Sequence, residues 1–150
     1  MREPVSAILD RFNDVFNRND LDGVMTYFAD DAVYEPGDGK RHVGKAAIRA
    51  AFAPQFSGVF GAMRFDVEDQ VIDEAGGKAA VRWICRHDLS GDKARKMSLL
   101  FRTFLRARFG SRLGWRGLDV FHLDAAGKIA GKFTYAHYDR PQLRRELGDA

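Results

Sequence analysis

Cysteine is almost absent from this chain, with Cys85 the single one among 150 residues. No internal disulfide can form, a zinc site built on cysteine is disfavoured, and the usage suits a reducing compartment. Long apolar runs are absent too. Nothing approaches the ~20 residues that cross a bilayer, and the opening MREPVSAILDRF has neither the apolar core nor the cleavage pattern of a secretory signal, so a cytoplasmic location is expected. HExxH, a glycine-rich phosphate loop and a nucleophile elbow are all missing. The histidines His42, His87, His122 and His137 have no spacing that predicts a metal, and neither metal nor cofactor is expected. There is no internal repeat and no low-complexity segment.

What is present is a globular composition, 45% hydrophobic and 30% charged, which excludes a disordered chain. A single domain over residues 1–150 is expected, able to bury roughly two thirds of the surface that its unfolded chain exposes. The net charge is +3, but Lys93 to Arg116 carries eight of the 24 basic residues and no acidic one. A solvated basic face is the expected reading, because surface charge alone indicates solubility and non-specific attraction. Nucleic-acid binding is not expected, since Phe101, Phe104 and Phe109 within that segment are better accounted for as a buried stripe.

Pro4 stands where a first helical turn accepts proline, and Val5, Ile8, Leu9, Phe12, Val15 and Phe16 recur at helical spacing up to Asn17-Arg18-Asn19-Asp20. Asp20 can cap a second helix in which Leu21, Val24, Met25 and Phe28 form one stripe. FADDAVYEP then turns extended and ends at Pro36. GDGKRHVG reads as a loop, and KAAIRAAFAPQF as a third short helix stopped near Pro54. Beyond residue 60 the period changes to two. Met63, Phe65, Val67 and Val71 alternate with Arg64, Asp66, Glu68 and Gln70, before a turn at Glu74-Ala75-Gly76-Gly77-Lys78. The partner strand AAVRWICRHDL sets Val81, Trp83, Cys85 and His87 on one face, with Arg82, Ile84 and Arg86 on the other. WRGLDVFHLD and KIAGKFTYAHY are the last strands, joined by the turn Asp124-Ala125-Ala126-Gly127. Three helices followed by a mostly antiparallel, twisted sheet predict an α+β domain.

The connection between Asp88 and Trp115 is too long for a hairpin. An amphipathic helical insertion is predicted at about 93–112, with Met97, Leu100, Phe101, Phe104, Leu105 and Phe109 clustered and Arg95, Lys96, Arg102 and Arg106 mainly opposite. Packing of this stripe on its own domain is the expected use. A lid, a dimer contact and a membrane-surface or partner-binding element are the alternatives, and membrane contact is not expected.

The last two strands raise a question, because their alternation sets Asp119 and Lys132 on the same side as apolar residues. Three strings, NRNDLDGVMTYFADDAVYEP, HVGKAAIRAAF and RGLDVFHLDAAGKIAGKFTYAHYD, in this order over nearly the whole chain, resemble the nuclear transport factor 2-like superfamily. Its ketosteroid isomerase and polyketide cyclase (SnoaL-like) branches are the most similar; the basic insertion is not covered. The resemblance implies a cone, in which a curved antiparallel sheet wraps around the three N-terminal helices (a cystatin-like α+β barrel) and leaves a mostly apolar pocket at the wide end.

Asp119 matches the aspartate that in the isomerases faces the pocket and stays protonated, donating a hydrogen bond to a developing oxyanion. The same comparison places Phe121, Lys132, Thr134 and Ala136 on the pocket side. Lys132 departs from the isomerase pattern, for its attraction favours an ionised Asp119 and opposes desolvation. The isomerases' tyrosine falls at Phe12, and their general base at or beside Pro36, which leaves Glu35 as the nearest carboxylate. Phenylalanine neither donates a hydrogen bond nor carries a proton, so steroid isomerisation by that machinery is not expected.

The candidate catalytic residues are therefore Asp119, Lys132, Glu35 and His87. Asp119 or Glu35 would act as base, with Lys132 or His87 polarising a carbonyl or returning the proton. Phe12, Tyr34, Trp83, Cys85, Trp115, Phe121, Thr134 and Ala136 complete the expected lining, which suits a small hydrophobic molecule. The chemistry implied is proton abstraction beside a carbonyl, as in isomerisation, aldol-type cyclisation or dehydration. Structural alternatives stay open: Asp119 and Lys132 as a buried ion pair only, His87 bonded to backbone, Glu35 in solvent, and a domain that binds a ligand or protein without chemistry. Leu118, Val120, Phe133 and Tyr135 share the opposite face with His122 and His137. The resemblance implies a homodimer through that face.

Overall fold

The computed structural model describes residues 3–136 and the short strand at 142–143. Helix α1 spans Val5–Asn17, and Pro4 before it offers no side chain to cap the first turn. Glu74, distant in sequence, supplies the acceptors: its carboxylate takes Val5 N at 2.6 Å, Ser6 N at 3.2 Å and Ser6 Oγ at 3.1 Å. An anion there also meets the positive end of the helix dipole. Val5, Ile8, Leu9, Phe12 and Val15 form the buried stripe of α1, as their spacing predicts. The Phe12 ring is the hub, with its centroid 5.8–6.0 Å from those of Phe16, Tyr27, Phe28 and Phe121. Each such buried ring contributes about 1.5–3 kcal/mol by leaving water.

Asp20 caps the short α2 (Leu21–Met25) by accepting from Gly23 N at 2.8 Å. Phe28, assigned above to this helix, opens strand β1 (Phe28–Glu35) instead, fully buried. β2 (His42–Val43) pairs with β1, and α3 (Lys45–Phe56) follows. α3 has the span that KAAIRAAFAPQF predicts, with Pro54 inside its last turn and the end at Phe56.

β3 (Ala62–Asp73) and β4 (Lys78–Asp88) form an antiparallel hairpin with a bulge between Val67 and Asp69. The bulge corrects one expectation. An extra residue reverses the faces of everything after it, so Val71 leaves the side of Phe65 and Val67 and is 71% exposed. Gln70 takes its place on the inner side.

A 3-10 turn (Asp92–Lys96) and α4 (Leu99–Phe109) fill the predicted helical insertion, and β5 (Arg112–Leu123), β6 (Ile129–Ala136) and β7 (Gln142–Leu143) complete the sheet. Its order is β2-β1-β6-β5-β4-β3, with β7 paired to β5. The β1–β6 pairing is parallel and the others are antiparallel. The sheet is curved and unclosed, and the main core lies between its inner face and α1–α3.

The stripe of α4 turns out differently from its prediction. Leu105 and Phe109 pack with Met97, Leu89, Leu113 and Trp115 in a second, smaller cluster. Leu100, Phe101 and Phe104 are 83%, 49% and 61% exposed. The apolar arc is wider than the strip of β5 available to cover it, so one side is buried and the other faces out.

Candidate active site

Register places the inner-face residues in rows across the sheet. Tyr34 on β1 pairs with Lys132 on β6, and Lys132 with Phe121 on β5. One row on, Thr134 stands opposite Asp119, Asp119 opposite Val81, and Val81 opposite Gln70. The next row brings Ala136, Gly117, Trp83 and Val67 together. The Trp83 ring lies across Gly117: a Cβ there would stand only 2.4 Å from Trp83 Cη2, so glycine is what lets the indole lie flat on β5.

Asp119, Lys132 and Thr134 close a three-membered network. Lys132 Nζ donates to Asp119 Oδ1 at 2.8 Å and to Thr134 Oγ1 at 2.9 Å, and Thr134 Oγ1 donates to Asp119 Oδ1 at 2.6 Å. All three residues are buried, at 6%, 6% and 4% exposure. The ammonium also lies 5.1 Å from the Tyr34 ring centroid and 5.6 Å from that of Phe121, within the range of cation–π attraction. These contacts explain how an aspartate and a lysine occupy an apolar wall: each charge is compensated by the other and by the Thr134 hydroxyl, and the ammonium also by two ring faces.

The network borders a cavity of about 60 Å³ between the sheet, α1 and α3. By the space one water takes, this is room for roughly four to six waters or one small molecular group. Phe12, Tyr34, Trp83, Asp119, Phe121, Lys132 and Thr134, all expected in the site, line it. Further lining that the expectation missed comes from α1 and α3, where Leu9, Phe16 and Phe52 are apolar and Asp10, Asn13 and Gln55 polar, and from β3, where Phe65 and Val67 precede Gln70. Helical spacing around Phe12 signals Leu9 and Phe16; Gln70 was hidden by the bulge. Trp83 Nε1–H is buried and has no hydrogen-bond partner among the described residues.

Five expected members lie elsewhere. Glu35 ends β1 in an ion pair with Arg41 at 3.0 Å, on the partly exposed rim. Ala136 shares a row with Trp83 but does not border the cavity. Cys85, His87 and Trp115 have the expected facing, yet their rows lie one and two steps further along the sheet, toward the α4 cluster. His87 Nδ1 donates to the Phe60 carbonyl at 2.9 Å, which leaves Nε2 to accept, 3.5 Å from Cys85 Sγ. Burial lowers the basicity of the imidazole, against the opposing effect of the Phe60 carbonyl. Burial first, and then the negative charge of Asp119, push the Cys85 thiol up, so sulfur is the protonated donor of this contact. Among the described residues no group of three or more histidine, cysteine, aspartate and glutamate side chains could hold a metal ion.

The comparisons with known proteins agree with this architecture. None of the curated proteins matches the chain. Among solved structures, SalBIII, an epoxide hydrolase/cyclase-like enzyme of pyran ring formation in the polyether salinomycin, has a TM-score of 0.69 at 18% identity, covering 93% of this chain and 95% of its own. RV0760c from Mycobacterium tuberculosis gives 0.69 at 18%, covering 95% and 97%. A protein provisionally named a polyketide cyclase from Xanthomonas campestris pv. campestris gives 0.64 at 16%, covering 90% and 91%. At these identities the likeness establishes the cone-shaped fold. The sequence profile of the SnoaL-like domain matches residues 9–132, from the α1 stripe through Asp119 to Lys132, and the chain belongs to that family.

Proposed function

We propose that this protein is a proton-transfer enzyme of the cyclase, isomerase or dehydratase type acting on a small hydrophobic carbonyl compound. The observation that carries the reading is the buried Asp119–Lys132–Thr134 network on the wall of an aromatic cavity. Asp119 is the base. It removes a proton beside the carbonyl, and the negative charge passes from carboxylate to substrate oxygen. Lys132 then exchanges the carboxylate for the developing oxyanion, so the ammonium keeps an anionic partner throughout and little reorganisation is needed. Thr134 holds the carboxylate in place, and the buried Trp83 Nε1–H, without a partner among the described residues, is a further donor for a substrate oxygen. SalBIII, with its cyclase-like description, supports the class of reaction. The outer face of β5 and β6, carrying half-buried Leu118, Val120 and Phe133 and exposed Tyr135, is proposed as the contact of a homodimer. His137 of that expected face lies outside the described residues.

A second reading, ligand binding without chemistry, is favoured by one feature: the network satisfies its own hydrogen bonds without a ligand, as a structural ion pair would. A thermal-shift screen against steroids, polyketide-like aromatics, fatty acids and terpenoids separates the two. A ligand at a hundredfold excess over its Kd stabilises by about 2.7 kcal/mol. The enzyme reading expects a stabilising compound that is also turned over. Stabilisation without turnover would support the second reading, and a panel in which nothing binds would count against both.

A further inference from the structure

We propose that α4 is a docking face for an anionic phospholipid surface, on which the protein rests peripherally. The first observation is where the apolar side chains point. A helix advances about 100° per residue, so Leu100, Thr103, Phe104 and Ala107 project away from Leu105 and Phe109, the two residues that attach α4 to the domain. Leu99, Leu100 and Phe104 are 66%, 83% and 61% exposed, on a helix otherwise joined to the sheet mainly through β5. A helix that only packs on its domain would turn these side chains inward.

The second observation is charge. Arg106 and Arg108 flank the outward apolar strip on its two sides, and both are exposed, as are Arg95 and Lys96 in the preceding turn. Apart from Asp92, which pairs with Arg95 at 3.4 Å, no acidic residue lies between Asp88 and Arg116. An apolar strip bordered by guanidinium groups is complementary to a layer that offers acyl chains beneath phosphates, and not to a purely polar polyanion.

The third observation is that the strip does not stand alone. Val59 and Phe60, in the loop before β3, are 38% and 40% exposed. That loop is anchored beside the same cluster, for Phe60 O accepts from His87 and Gly61 packs against Leu89, a member of the α4 cluster. Two separate segments thus present large apolar side chains at one end of the molecule. Among the described residues no helix is long and apolar enough to cross a membrane, and the proposed contact is with the surface.

The test is co-sedimentation of the full chain with vesicles of phosphatidylcholine alone and of phosphatidylcholine mixed with phosphatidylglycerol, at low and high salt. The Leu100→Ser/Phe104→Ser variant alters only exposed side chains, and its circular dichroism and Tm confirm its fold. Wild type is expected to pellet with the anionic vesicles, less so at high salt and with the neutral vesicles, and the folded variant is expected to stay in the supernatant. Absence of wild-type pelleting at low salt overturns the proposal, as does pelleting of the variant equal to wild type. Light scattering supplies the other outcome: if the two substitutions turn a wild-type oligomer into a monomer, α4 is a contact between copies and the lipid assignment fails.

Discussion

At the scale of the residue, the two charges in the wall are mutually dependent. Lys132 Nζ and Asp119 Oδ1 are 2.8 Å apart and both side chains are 8% exposed, so deleting either one strands the other in an apolar setting. Breaking a buried pair costs about 3–5 kcal/mol, whereas replacing both partners by apolar groups of similar shape is far less costly. Urea denaturation of Lys132→Met, Asp119→Leu and the double variant should therefore show single losses of about that size and a double loss well short of their sum. Additive losses would mean that the pair does not interact as described. These residues were legible in the sequence because alternation in a strand fixes which face a side chain takes. Alternation does not say how far along the sheet it sits. Cys85, His87 and Trp115 share the facing of Trp83 and Asp119, and only register assigns them to rows beyond the cavity.

At the scale of the element, β4 is tied to the loop before β3 through His87 and the Phe60 carbonyl. Burial holds the imidazole below its ordinary value of 6.5 in the folded chain. As pH falls from that ordinary value toward the lower folded one, the unfolded chain takes up a proton that the folded chain refuses, so stability declines through this window and is level above it. Thermal unfolding should reproduce the decline, and His87→Gln, which keeps a donor for Phe60 without a titrating group, should flatten it. Identical slopes would exclude His87 as the cause. The elements whose course the sequence concealed have distinct physical reasons. The β3 bulge preserves composition and changes only parity, and the α4 stripe reports amphipathicity without naming what lies against it. The third helix was legible to its ends, KAAIRAAFAPQF being helical from Lys45 to Phe56, with Pro54 in its last turn.

At the scale of the whole molecule, the cone was legible because order and spacing of whole segments carry more information than any one motif. The pocket was only partly so, since seven of its seventeen lining residues come from helices that meet the sheet in three dimensions. The proposed dimer covers the outer face of β5 and β6 and leaves α4 free. Light scattering at micromolar protein is expected to give twice the chain mass, and a monomer would remove this interface. The role of Asp119 is measured directly by comparing Kd and kcat of wild type and Asp119→Asn on a compound that stabilises the wild-type fold, below the Tm of both. Loss of a general base predicts a kcat lower by about a hundredfold or more with Kd changed little. Undiminished kcat in the asparagine variant would contradict the assignment of Asp119 as the base.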